Sequence, residues 1–309
     1  MYFRKIITIK AEDSPNIRLA LRELSLGKEP SNKNIVPGVL SYETYTQARK
    51  IWDTASQCIG LDGEFYEGAE VLLFPIEWLN QSSRKADELG NWLLNSTAEA
   101  IGVDAAEGGD NTAIAVVGRK GLLKLISKKT PDTNKIIGEV IATAQEYRVP
   151  WDRVIFDRGG GGKQHADRMR AMGYNVRTVA FGEAITADPR SATIIGIKKR
   201  IEEREVRYTF KNRRALLFWD LRKLIDPVNK EIFAIPARYA ELKRQLSLIP
   251  LTYDEEGRLF LIPKGSTLGD THKKSLISIM GHSPDEADAV VLGVYGMLYS
   301  AIYAVAGAL

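Results

Sequence analysis

The stretch AIGVDAAEGGDNTAIAVVGRKGLLKLIS, residues 100–127, decides the fold. AIGVD, TAIAVVG and LLKLIS are three short apolar runs, joined by segments that carry EGGDN and RKG. Runs this short with turns this close predict the strands of an antiparallel meander. The chain then alternates. PDTNKIIGEVIATAQEYRV (131–149) opens on proline and aspartate and places its apolar residues at helical spacing, which predicts a helix. RVIFD (153–157) reads as a buried strand, KQHADRMRAMG (163–173) as a helix and YNVRTVAF (174–181) as another strand.

Three meander strands, a crossover helix and further strands alternating with helices give the element order of a ribonuclease H-like fold. The expected class is therefore α/β, a mixed central sheet with an antiparallel three-strand meander, flanked by helices. In that fold the first strand lies centrally, and its acidic residue comes close to the end of the fourth. Residues 1–95 read differently. KIITIKA (5–11) resembles a strand, EPSNKNIVPG (29–38) a loop and YETYTQARKIWDT (42–54) a short helix. IGLDGEFYEGAEVLLFPIEWL (59–79) reads as strand-like with turn glycines, and QSSRKADELGNWLLNS (81–96) as a polar connector or short helix. These pieces make no complete core of their own, so the expected boundary separates a terminal segment and linker, 1–95, from a domain over 96–309.

Three acidic sites stand out because each ends or begins an apolar element: Asp104, Asp157 and Asp285. Carboxylates are disfavoured in strands and costly to bury unless a cation meets them. Phosphodiester hydrolysis benefits from two divalent ions about 3.5 to 4 Å apart. Mg²⁺ and Mn²⁺ favour carboxylate oxygens, so such a site needs several acids and little else. On this reading Asp104 bridges two ions, Asp157 binds one and Asp285, at the first turn of the last helix, binds the other. Asp288, three residues on and on the same helical face, is an auxiliary ligand or general base, or else a structural residue that pairs with a lysine. Plainer roles exist for the others too: Asp104 could open a turn, and Asp285 could favour the helix dipole.

The 309 residues are 44% hydrophobic and 27% charged, which is ordinary globular composition and excludes a chain dominated by disorder. A single cysteine, Cys58, excludes an intramolecular disulfide framework or a cysteine-based zinc site, and fits a reducing compartment. No secretory leader opens the sequence, so a cytoplasmic location is expected. Residues 289–309 carry no charge and are long enough to span a bilayer, but they follow three acids, have no basic flank and hold three glycines and three tyrosines. A helix buried against the sheet is the better account, and no membrane partner is expected.

A net charge of +4 is too mild to establish a nucleic-acid partner alone. The basic residues cluster, however, over 197–214 (IKKRIEEREVRYTFKNRR) and at Lys264, Lys273 and Lys274. Lys163, Arg213, Arg214, Lys264, Lys273 and Lys274 are the candidates to meet DNA phosphates, with little to suggest base readout. Residues 197–206 read equally well as a solvated helix face of Glu/Arg pairs. Gly159–Gly162 followed by Lys163 lacks the glycine and the Ser/Thr that a Walker A loop requires, so the run is either a tight exit from the strand that offers amides to a phosphate or a plain turn.

Four strings, VDAAEGGDNTAIAVV, VIFDRGGGGKQHADRMRAMGYNVRTVAFG, KNRRALLFWDLRKLIDP and SPDEADAVVLG, occur in an order that resembles the nuclease domain of the large terminase subunit of tailed bacteriophages. Residues 1–95, with AEDSPN, VPGVLSYETYTQARKIWD and GEFYE, resemble the segment that closes a terminase ATPase domain. The resemblance implies an endonuclease that cuts concatemeric double-stranded viral DNA during packaging, by two-metal hydrolysis at three acids that match Asp104, Asp157 and Asp285. It implies double-stranded DNA, the small terminase subunit and the portal protein as partners, in the bacterial host cytoplasm. No GxxxxGK[ST] occurs, so the chain is expected to be a truncated part or split gene product without ATPase activity of its own. Two rivals remain. A sugar-kinase or actin-like ATPase fits the strand, aspartate and glycine turn at 100–110, although Ala106 stands where its loop wants glycine. A non-catalytic DNA-binding clamp would keep the fold and cut nothing.

Overall fold

Apolar runs without alternation suit strands covered on both faces, and those of residues 100–127 become the centre of a sheet. β1 (Ala100–Asp104), β2 (Thr112–Gly118) and β3 (Gly121–Lys128) are antiparallel neighbours, with Ala100 opposite Val117 and Asp104 opposite Ala113. β4 (Val154–Asp157) and β5 (Arg177–Val179) add in parallel on the other side of β1, giving the order β3-β2-β1-β4-β5. This is the ribonuclease H-like sheet, with β1 central as expected. A two-residue hairpin, β6 (Thr252–Tyr253) and β7 (Leu259–Phe260), stands apart from it.

The structure, a computed structural model, describes residues 8–51, 57–58, 60–63, 71–106, 110–129, 132–185, 209–265 and 275–299. It divides into two compact units, Met1–Val71 and Leu72–Leu309. In the first, α1 (Pro15–Ser25) and α2 (Tyr42–Ile51) enclose a small core of Ile17, Tyr45, Ala48 and Leu61. Arg49 binds Asp62 there, and its Nε donates to the Tyr45 hydroxyl at 3.1 Å. Residues 5–7 of the expected first strand and most of GEFYE lie outside the described residues.

α3 (Ile76–Leu89) and α4 (Asn91–Leu94), from the segment expected as a terminal linker, lie in the larger compact unit. IEWL, expected as strand, opens α3. Its buried residues Leu79, Ser82, Ser83 and Ala86 recur at helical spacing. Ser82 Oγ donates to the Phe233 carbonyl at 2.6 Å and accepts from Ile235 N at 2.9 Å. Leu73 N donates to Ile249 O, and the Arg222 guanidinium lies over the rings of Trp78 and Trp219.

Helices cover both faces of the sheet. α5 (Thr133–Glu146) and α6 (Gly162–Ala171) contribute to the core that contains Ile101, Val103 and Phe156. α7 (Arg213–Ile225), α8 (Ala240–Ser247), the short α9 (Leu276–Met280) and α10 (Asp285–Tyr299) belong to the core that contains Ala100, Ala115 and Ile155. α10 is buried along most of its length and packs on β1, β2 and β4, as expected for the apolar stretch that begins at 289. Residues 300–309 lie outside the described residues, among which no helix is long and apolar enough to cross a membrane.

Candidate active site

Parallel register places the first two carboxylates together. Val103 pairs with Phe156, so Asp104 and Asp157 follow side by side at the carboxyl ends of β1 and β4. Alternation along a strand puts Asp104 on the same face as Gly102, and Asp157 on the face of Ile155. That face carries α10: a Cβ at Gly102 would lie 2.0 Å from Ala289 O, and one at Gly296 would lie 2.9 Å from Ile155 Cγ1. The helix therefore brings its first turn, with Asp285 and Asp288, to the same end of the sheet. Asn111 N donates to Asp285 Oδ2 at 3.1 Å, which ties the start of α10 to the residue before β2.

A cleft of about 620 Å³ opens at this end, lined by Asp104, Asp110, Asp157 and Asp285, by Gly159–Gly161, and by Phe181, Arg214, Lys264, Ile277 and Ser283. Asp104, Asp157 and Asp285 are all buried, the most exposed of them at 8%. Burial pushes Asp104 up to about 7, with repulsion from Asp288, Asp285 and Asp157 adding to it and Lys264 opposing it. Asp157 is raised by burial, against a hydrogen bond from Gly159 N. Asp285 is raised by burial, against a hydrogen bond from Ser283, with Asp110 adding repulsion.

Positive charge enters along one line. Lys264 Nζ lies 3.1 Å from Asp104 Oδ2 and 2.7 Å from Asp288 Oδ2. Burial alone disfavours its ammonium, but Asp288 and Asp104 override this and hold its pKa above the usual lysine range. Asp288, fully buried, also accepts from Arg214 Nε at 3.2 Å and from Nη2 at 3.0 and 3.2 Å. The Arg214 guanidinium lies over the Phe181 and Phe218 rings, 5.7 and 5.4 Å from their centroids.

The expected site residues differ in their surroundings. Asp288 does not line the cleft. Its carboxylate is bonded to two cations, and one of them is the lysine that its structural reading anticipated. Arg214 and Lys264 line the cleft and are engaged with Asp288 and Asp104. Arg213 is largely covered and lies 3.4 Å from Glu183. Lys163 is exposed at the start of α6 and pairs with Asp167 at 3.0 Å. Lys273, Lys274 and the basic run 197–206 lie outside the described residues. The sequence reading missed the link from Lys264 to Asp104 and the aromatic walls around Arg214; no local pattern announces either, since the partners are far apart in the chain.

The donor set suits a hard divalent cation. It is all oxygen, and its burial and mutual repulsion make the ionised form costly without positive charge nearby. Among the described residues, no three acids, histidines or cysteines stand close enough together to hold one ion between them. Lys264 is the cation that this arrangement offers Asp104.

Solved structures share this architecture. The nuclease domain of the large terminase subunit gp2 of bacterial virus Sf6 aligns with a TM-score of 0.52 at 15% identity, over 72% of this chain and 98% of that one. A mutant of that domain, with manganese and beta-thujaplicinol, aligns with the same score and coverage at 16% identity. The fold is that of a terminase nuclease domain. At such identity the likeness is one of fold, and no family model and no curated protein sequence matches the chain. In the terminase-nuclease fold of this protein, the carboxylate cleft sits where the central strand and its parallel neighbour end.

Proposed function

We propose that this protein is a divalent-metal-dependent endonuclease that cuts concatemeric double-stranded viral DNA during genome packaging. The observation that carries the reading is the convergence of Asp104, Asp157 and Asp285, from two adjacent parallel strands and the first turn of a helix, on one cleft in a terminase-nuclease fold. Those three residues would share Mg²⁺ or Mn²⁺ between them, two ions per site, with no single ion taking all three. When bound, such ions neutralise the phosphodiester and raise the acidity of the attacking water.

The chain's own groups do the rest. Gly160 and Gly161 both have positive φ and turn the backbone directly into the N-terminus of α6, a place where amides and the helix dipole favour a phosphate oxygen. Exposed Lys163 extends that surface toward the backbone of a duplex, and Arg213, Lys273 and Lys274 remain its proposed companions. Contacts of this kind read phosphates and not bases, so cutting is weakly sequence-specific. The small terminase subunit and the portal protein are proposed partners, in the host cytoplasm.

Nicking of supercoiled plasmid in Mn²⁺ or Mg²⁺ tests the reading. The wild type should relax and linearise the plasmid, and Asp104→Ala should not. A wild type and mutant that leave the plasmid equally intact would defeat the proposal. ATP hydrolysis by the isolated chain would instead support the kinase-like or actin-like reading.

A further inference from the structure

Arg214 is the cation of the cleft held most firmly in place. Its side chain is 9% exposed, two phenylalanine rings flank the guanidinium, and its backbone N donates to Phe181 O. Asn212 caps the helix on which it stands, its side chain accepting from Ala215 N at 3.0 Å. A lysine on a flexible four-carbon stem has no such preorganisation. Lys264 acquires it through Asp288, which the Arg214 fork grips by both oxygens while Lys264 touches one of them.

We propose that Arg214 is a positioning residue for the cleavage reaction: through Asp288 it fixes the Lys264 ammonium against Asp104, and so sets the positive charge that the carboxylate cleft holds before a divalent ion enters. A fully buried carboxylate needs both cations to offset its desolvation. Without the Arg214 fork, Asp288 draws Lys264 to itself and away from Asp104. The cleft then becomes more negative, attracts a divalent ion more strongly, and loses the fixed ammonium beside the reacting groups. The proposal takes its reaction from the nuclease reading, but ion binding reports on it without any cleavage.

The test uses the full chain as wild type, Arg214→Lys, Arg214→Met, Lys264→Met and the double Arg214→Met/Lys264→Met variant. Mn²⁺ affinity is read by titration calorimetry, cleavage as kcat and KM for plasmid, and folding by thermal melting. Arg214→Lys keeps the charge and loses the fork. It should lower kcat by roughly tenfold or more, the scale seen when groups behind a metal ligand are removed, while leaving KM for DNA close to wild type and tightening Mn²⁺ binding. The double variant should bind Mn²⁺ as Lys264→Met does, because both changes act through the same ammonium.

Wild-type kcat and Mn²⁺ affinity in Arg214→Lys would overturn the proposal. So would additive effects on Mn²⁺ affinity in the double variant. A raised KM with kcat intact would return Arg214 to direct phosphate contact. Where Arg214→Met fails to fold, the Arg214→Lys arm decides alone. A wild type that binds Mn²⁺ and cuts nothing would remove the nuclease reading, and the binding arms would still judge the link between Arg214 and Lys264.

Discussion

Asp104 concentrates the conflict of the site: a carboxylate at the end of a central strand, surrounded by other acids and pushed up to about 7 by burial first and repulsion second. The consequence for stability has a definite sign. In the unfolded chain the group titrates near 3.8, so between pH 4 and 7 the folded protein holds a proton that the unfolded chain has shed. Its contribution to stability falls as pH rises through that window and levels off above it. Asp104→Asn should therefore raise the melting temperature of the metal-free protein relative to wild type, with a gain that grows from pH 4 to 7 and then stays flat. Melting curves across that range check this, and a constant offset between the two proteins would contradict it. Mn²⁺ binding to the wild type should tighten over the same rise in pH, because the ion and the proton compete for one carboxylate. The three acids were legible in the sequence because each punctuates an apolar element. Pairing of Asp288 with a lysine was among its readings, but helical spacing gives a residue's face and not its depth, and Arg214, its other partner, lies 74 residues away.

Glycine decides how closely the element carrying Asp285 approaches the strand carrying Asp104. A Cβ at Gly102 would fall 2.0 Å from Ala289 O and 2.3 Å from Gly293 N, both backbone atoms of α10 that no side-chain rotation relieves. Gly102→Ala should push α10 off β1 and cost about 3 kcal/mol, at the upper end of overpacking effects. It should also weaken Mn²⁺ binding, since the first turn of α10 moves with the rest. Denaturant melts and calorimetry measure the two effects; an alanine variant with wild-type stability would show that the helix and strand are not packed this tightly. The strands of the meander, the helices at 133–146 and 162–171 and the buried last helix were legible from apolar run length and spacing. α3 was misread because VLLFPIEWL opens like a strand, and its buried serines disguise the apolar face of a helix until their partners Phe233 and Ile235 are known.

The boundary of the larger unit follows from what α3 contributes to it. Leu73, Phe74 and Leu79 join one core of that unit, and Ala86 and Leu93 the other. Ser82 satisfies a buried carbonyl and a buried amide that otherwise have to be left without it. Ser82→Ala leaves both groups bereft of that hydroxyl and should cost about 2 kcal/mol. The boundary expected near residue 95 rests on pieces that make no complete core of their own, and the apolar face of residues 72–95 is recognisable only against strands and helices far along the chain. Truncation separates the two positions. A fragment of residues 72–309 should fold cooperatively, retain the carboxylate cleft and bind Mn²⁺ as the full chain does. A fragment of residues 96–309 loses the buried area of Leu73, Phe74, Leu79, Ala86 and Leu93, on the order of 25 cal/mol for each Å² of apolar surface, and uncovers core that these residues now seal. It should melt without cooperativity or aggregate. Circular dichroism melts and size-exclusion profiles of the two fragments decide the matter: equal cooperativity in both would restore the boundary to residue 95 and reduce α3 to a surface attachment.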